Sequence, residues 1–301
     1  MAYKSSRRVD LGAVARAPFN AMQWRLLLLW VLLSLLPTLV AALPLLQSLG
    51  GLLDHSTHAS AWAREFNMMM FGDVAQALGQ QRNTLHGALL VSLLLMLLLL
   101  PWLNGMAIAS GRAGRALGFG GLLQGGLVEY WRMFRLQLWS LPVYALAAYL
   151  AQLGFDRADD HADLAVLESQ ATAAQHLAWW FTGLVVVIAQ LWLESARAAF
   201  IADSGLRAAT VAMWRGLNQL LRRPFSTLLT YLVISAVGFA IVLALGLARI
   251  HTLAVGTEGL LLAFLLSQLI VMTFGWMRIA RLFALADIAR SLGGSRRSGL
   301  M

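Results

Sequence analysis

The chain has 301 residues, of which 59% are hydrophobic and only 12% charged, against about a quarter charged in an average soluble domain. That balance excludes a soluble globular protein and describes an all-α chain that crosses a membrane several times. Absent cysteine excludes disulfides, thiol nucleophiles and cysteine-ligated metals, whereas the net charge of +9 invites a nucleic-acid reading that only the placement of the charges can decide.

In chain order, a basic segment over residues 1–25, opening "MAYKSSRR", precedes a first apolar run too long for a signal peptide, so that run is expected to stay as a span. Apolar stretches of about 20 residues, enough to cross a bilayer, lie near 26–46, 86–103, 134–153, 177–200, 225–248 and 259–280. They predict one six-span membrane domain over 26–290 and a basic tail over 291–301. With the N-terminus inside, inner segments hold 19 Lys/Arg against 5 acidic residues, and outer loops hold 4 against 9. This positive-inside asymmetry puts both termini in the cytoplasm and the excess charge against anionic headgroups, not nucleic acid.

The first outer connection, 47–84, is the longest. Its stretch "AWAREFNMMMFGDVAQALGQQ" sets Trp62, Phe66, Met69 and Met70 at helical spacing. It reads as an interfacial helix packed on the bundle or as a lid over a lipid-sized site. "DHSTH" offers His55 and His58 without a third ligand nearby, so no metal is expected. "DRADDHAD", 156–163, lacks the glycine and terminal glutamate of a calcium loop and reads as a solvated acidic loop.

Two features suggest internal repetition. "ARAAFIAD" ends the fourth span and "ARLFALAD", 84 residues on, ends the sixth. Trp-Arg precedes each odd span: Trp24-Arg25, Trp131-Arg132 and Trp214-Arg215. Three two-span units are expected, about 9–110, 112–204 and 206–290, each beginning with a basic amphipathic interfacial helix. In the connector "LGFGGLLQGGLVEYWRMFR" the glycines argue against a strict helix, each costing up to about 1 kcal/mol relative to alanine.

A spacing of six leaves Arg197 about 120° from Asp203 on a helix, so neither that pair nor Arg281 with Asp287 is a local ion pair. Local partners at three- or four-residue spacing are Glu194 with Arg197, Asp203 with Arg207 and Asp287 with Arg290. Two readings of the phrase stay open. Each arginine snorkels to the inner headgroups while each aspartate ends its span, Asp203 capping the next helix. Alternatively the charges bridge units, Arg197 with Asp287 or Arg281 with Asp203.

No ionisable residue falls at a span centre, which argues against carboxylate-coupled transport and intramembrane acid–base chemistry. Neutral polar residues at depth, among them Gln190, Gln268 and Thr273, serve either as packing contacts or as the lining of a polar path. No phosphate loop, dinucleotide fingerprint or nucleophile elbow is present, so no enzyme and no cofactor is expected.

Six spans in some 300 residues, with "ARAAFIADSGLRAATVAMWRGLNQLLRRP" and "YWRMFRLQLW", resemble a group of poorly characterised bacterial inner-membrane proteins similar to the membrane domain of some glycerophosphoryl diester phosphodiesterases. The resemblance implies a lipid-associated or accessory membrane domain and carries over no catalytic residue. The expected function is a non-enzymatic, lipid-interacting scaffold or accessory subunit whose partners are membrane lipids and other membrane proteins. The alternative is a transporter for a lipid or other amphiphile. Two-span units in threes also resemble mitochondrial carriers in architecture, but the proline–acid–base signature of those carriers is missing after Pro37 and Pro142.

Overall fold

The computed structural model describes residues 11–53, 68–164, 167–252 and 256–297. Within them the chain forms α1 (Leu11–Asn20), α2 (Trp24–Leu53), α3 (Met68–Gln80), α4 (Arg82–Ala113), α5 (Phe119–Leu164), α6 (Glu168–Ala202), α7 (Ala209–Arg222), α8 (Pro224–Ile250) and α9 (Gly256–Arg297), with no strand among the described residues. Six of these, α2, α4, α5, α6, α8 and α9, are long and apolar enough to cross a membrane, and each contains one of the six expected stretches. The chain is an all-α, multi-pass membrane protein. Helices are the open-chain solution to that environment, because lipid offers no partner to a free N–H or C=O.

Helix ends follow local chemistry. Gly114, in the left-handed region at φ 63°, closes α4. Pro224 opens α8, where its missing N–H has no helical partner to lose. Other boundaries differ from expectation. The glycine-dense connector is not a separate or broken segment: it is the start of α5, an unbroken helix of 46 residues, about 69 Å long at 1.5 Å per residue. Its glycines are where neighbours need room. A Cβ on Gly125 would lie 2.5 Å from Ala109 Cβ, and one on Gly126 would strike the Trp102 ring. The close approach of α4 offsets the helix-propensity cost. At its far end α5 also runs through Asp156–Asp163, so the expected acidic loop is helical, with its four aspartates exposed. The sixth span likewise does not stop at Asp287; α9 continues ten residues beyond it, through Arg297.

Packing is concentrated at one end. The C-terminal halves of α4, α6 and α9 bury Leu103, Met106, Ile108, Leu193, Ala196, Phe200, Ile279, Ala280, Leu282, Ala284 and Leu285 almost completely. They converge at Gly111, where an added Cβ would lie 2.8 Å from Phe283 and 3.1 Å from Ile201. Lipid is as apolar as leucine, so such spans associate by close packing rather than by leaving water, and small residues at the crossing bring the backbones together. Both repeated phrases supply them: Ala196, Ala198, Ala199, Ala280, Ala284 and Ala286 are all buried. The opposite halves carry rows of leucine on the outside, for example Leu89, Leu90, Leu93, Leu94, Leu97 and Leu98 of α4.

Three tryptophans fasten a returning span to an amphipathic segment. Trp102 Nε1 donates to the Leu123 carbonyl at 3.2 Å, Trp192 Nε1 to Met213 at 2.9 Å, and Trp276 Nε1 to Pro18 at 2.9 Å. In each case a small buried residue sits three positions after the acceptor: Gly126, Gly216 and Ala21. The first two bonds span the same 21 residues, and the third joins the last span to α1.

Candidate functional site

The most unusual chemistry lies within this packed end, around the first repeated phrase. Glu194 is 2% and Arg197 7% exposed. Arg197 therefore does not snorkel out to water; α6 carries it into the helix contacts. Glu194 does not take Arg197 as its bonded partner, one turn away. Its Oε1 accepts from Arg281 Nη2 of α9 at 2.9 Å, while Arg278 and Arg197 also act on its carboxylate charge. Arg281 Nη1 donates to Ser235 Oγ of α8 at 3.0 Å, and Ser235 donates to the Tyr231 carbonyl. The Arg281 guanidinium lies 4.7 Å from the Tyr231 ring centre and that of Arg278 lies 5.9 Å from Trp30.

One buried carboxylate thus bonds Arg281, while Arg278 lies one turn before Arg281 on α9 and Arg197 one turn after Glu194 on α6, with Trp30 of α2 and Tyr231 of α8 against the α9 arginines. Among the described residues Arg278 Nε, Arg281 Nε, Ser195 Oγ and Glu194 Oε2 are buried without a hydrogen-bond partner. An unpaired polar group costs on the order of 1–3 kcal/mol when buried, and an unpaired charge costs more.

A second buried carboxylate, Glu129 of α5, is held differently. It accepts from Arg112 of α4 at 2.5 Å and from Arg132 at 2.8 and 3.0 Å. Arg112 Nε also donates to the Phe200 carbonyl at 2.7 Å, which ties α4 to α6. Its two arginines reach the surface more than Arg281 does, at 19% and 22% against 11% side-chain exposure.

The remaining predicted residues fall in several places. Asp203 follows the last residue of α6, accepts the Gly205 N–H at 2.9 Å in a turn, and pairs with Arg215 of α7 at 2.6 Å rather than with Arg207. The turn swings its carboxylate toward α7. It does not cap that helix, whose N-cap is Ala208. Asp287 pairs with Arg290 at 2.6 Å, the expected one-turn contact. The contact between α6 and α9 takes neither the Arg197–Asp287 nor the Arg281–Asp203 course: Arg281 reaches Glu194, two residues before the first phrase begins. The sequence signal was there in Glu194, the acidic residue of the buried half of α6; its partner, 87 positions away, was not.

Gln190 Nε2 donates to the Tyr144 hydroxyl at 3.1 Å, between α6 and α5. Thr273 Oγ1 donates to its own helix at Leu269, and Gln268 is half-buried on α9. None of the three lines the larger described cavity, of about 540 Å³. That cavity lies between α5 and α6 at their loop ends, among Leu150, Gly154, Arg157, His161, Leu177 and Phe181. A smaller one of about 280 Å³ is bordered by Leu78 and Gly79 of α3 together with α2 and α4. Met69 and Met70 belong to α3, whereas Trp62, Phe66, His55 and His58 lie outside the described residues. Compared with known proteins, the chain matches no family model, no curated relative and no solved structure, so its function is argued from its own geometry.

Proposed function

We propose that this chain is a non-enzymatic, lipid-interacting scaffold or accessory subunit of a bacterial inner membrane, with both termini cytoplasmic. The observation that carries the reading is the solid contact of α4, α6 and α9 around Gly111, where an added Cβ would meet side chains of both other helices at about 3 Å. A packed axis suits a rigid platform, and a transporter would instead need a path that opens there. The outer halves offer lipid a continuous apolar surface, and the basic residues collected at the other end match the anionic cytoplasmic leaflet. The likeness to membrane domains attached to phosphodiesterases is in keeping with an accessory role.

We further read the chain as three related two-span units, about 9–110, 112–204 and 206–290. Support comes from the tryptophan bonds, each running from the returning span of one unit to the amphipathic segment of the next. Trp276 to Pro18 returns from the third unit to the first, so the units close into a ring. Closure of this kind leaves no unit end unpaired, which favours a fixed assembly over a gated one.

Reconstitution tests the reading. Purified protein in vesicles of phosphatidylethanolamine and phosphatidylglycerol is expected to retain bound phospholipid and to leave the flip rate of a fluorescent lipid at the protein-free level. Saturable translocation of lipid or another amphiphile would replace the scaffold reading with the transporter. Alkaline-phosphatase fusions at residues 60, 160 and 252 are all expected to be active; loss at any one would break the topology.

A further inference from the structure

We propose that Arg197, Arg278 and Arg281 together hold a phosphate group at the depth of the inner headgroups, on a phospholipid or as the free ion. The inference rests on the lipid-interacting reading and gives it a site. Three guanidiniums against the single carboxylate of Glu194 leave two positive charges in excess among packed helices. Buried ions persist when paired, and one removed partner is strongly destabilising, so the cluster calls for an anion.

Donors for that anion are unused: Arg278 Nε and Arg281 Nε are buried and, among the described residues, bonded to nothing. No ion pair involves Arg197 among the described residues, although it is almost wholly buried. Glu194 orients rather than neutralises: it fixes Arg281 through Nη2 while Ser235 takes Nη1, which leaves Nε to face elsewhere. A phosphate, with up to two negative charges and several acceptor oxygens, suits converging guanidinium forks better than a carboxylate does, since one fork already satisfies a carboxylate.

Arg278 and Arg281 are not wholly sealed, Arg281 keeping 11% side-chain exposure. A headgroup that reaches them would keep its acyl chains against the apolar outside of the bundle. The Glu129 cluster has less of this character: its two arginines bond the carboxylate and the Phe200 carbonyl, and Arg112 Nη2 is its one guanidinium nitrogen buried without a partner among the described residues.

The test uses the full chain in detergent, titrated with phosphatidylglycerol, with diacylglycerol of the same chains, and with inorganic phosphate, and read by native mass spectrometry. Phosphatidylglycerol is expected to bind about tenfold or more tighter than diacylglycerol. Arg197→Gln and Arg278→Gln are each expected to lower its affinity about tenfold, while Arg215→Gln, at a half-exposed pair, changes it by less than about twofold. Displacement of the lipid by millimolar phosphate would make the free ion a sufficient ligand; persistence of the lipid would make the headgroup the source. Phospholipid that binds equally to both arginine variants overturns this site and leaves the lipid-interacting reading standing. No phospholipid binding at all overturns both. If a glutamine variant fails to fold, phenylglyoxal on the wild-type chain decides. Phosphatidylglycerol must protect Arg278 and Arg281 from modification, and equal modification with and without it overturns the proposal.

Discussion

Glu129 and Glu194 sit at the same packed end of the molecule, each nearly inaccessible, yet their surroundings differ. Glu129 is a staple: two arginines close on it, one of which also grips the Phe200 carbonyl, so α4, α5 and α6 are tied by a cluster with one positive charge in excess. Glu194 has the same kind of bond to Arg281, but Arg278 and Arg197 lie one helical turn from the two partners, and both Arg278 Nε and Arg281 Nε are buried and unused among the described residues, against Arg112 Nη2 alone at Glu129. The first arrangement is what stability alone would select. The second retains charge that stability does not explain, and such residues within membrane spans are by default functional.

Mutations at the two carboxylates probe that contrast, the largest effect first. Arg281→Gln strands Glu194 in a site from which water is excluded and is expected to cost about 3–5 kcal/mol, read as thermal unfolding in detergent. Adding Glu194→Gln is expected to recover most of the loss. Additive losses would show that the two side chains do not work as a pair.

Glu129→Gln is expected to cost less, about 1–3 kcal/mol, because Arg112 and Arg132 reach solvent and Arg112 keeps its bond to Phe200. A loss as large as that of Arg281→Gln would erase the distinction between staple and site. Trp102→Phe and Trp192→Phe each remove one N–H···O bond beside one cluster and are expected to cost about 1 kcal/mol each. Similar losses at both would support the proposed equivalence of the two joints, and a negligible loss at either would count against it. Asp203→Asn, at a pair 42% exposed on both sides, is expected to cost no more than about 1 kcal/mol, with the difference shrinking as salt is raised.

How far the sequence revealed this arrangement depends on the range of the forces involved. The spans were legible because apolar length is a local property that the bilayer imposes directly. The Asp287–Arg290 pair was legible for the same reason, since its cause lies within one turn. The continuity of α5 was not, because its glycines follow from Trp102, Met106 and Ala109 pressing on them from α4, and propensity alone argues the other way. The burial of Arg197 was hidden too. A basic residue at the end of an apolar run looks like a snorkelling anchor until the neighbouring helices are known to cover it.

The repeated phrase stands out by its charges, whereas its alanines do the packing and Arg281 answers to a glutamate outside the shared letters. A better signal lies in Trp102, Trp192 and Trp276, spaced by 90 and 84 residues, the first two followed 24 positions later by Gly126 and Gly216.

The central claim is that the convergence of α4, α6 and α9 is solid and holds no aqueous path. The chain has no cysteine, so a single thiol placed in that core reports directly. Ala284→Cys, at a fully buried position of α9, should resist a membrane-impermeant maleimide applied from either side of sealed vesicles, while Ser204→Cys, in the exposed turn after α6, should label from the cytoplasmic side. Labelling of Cys-substituted Ala284 from either side would mean that water enters the core, and would contradict the scaffold in favour of a conduit.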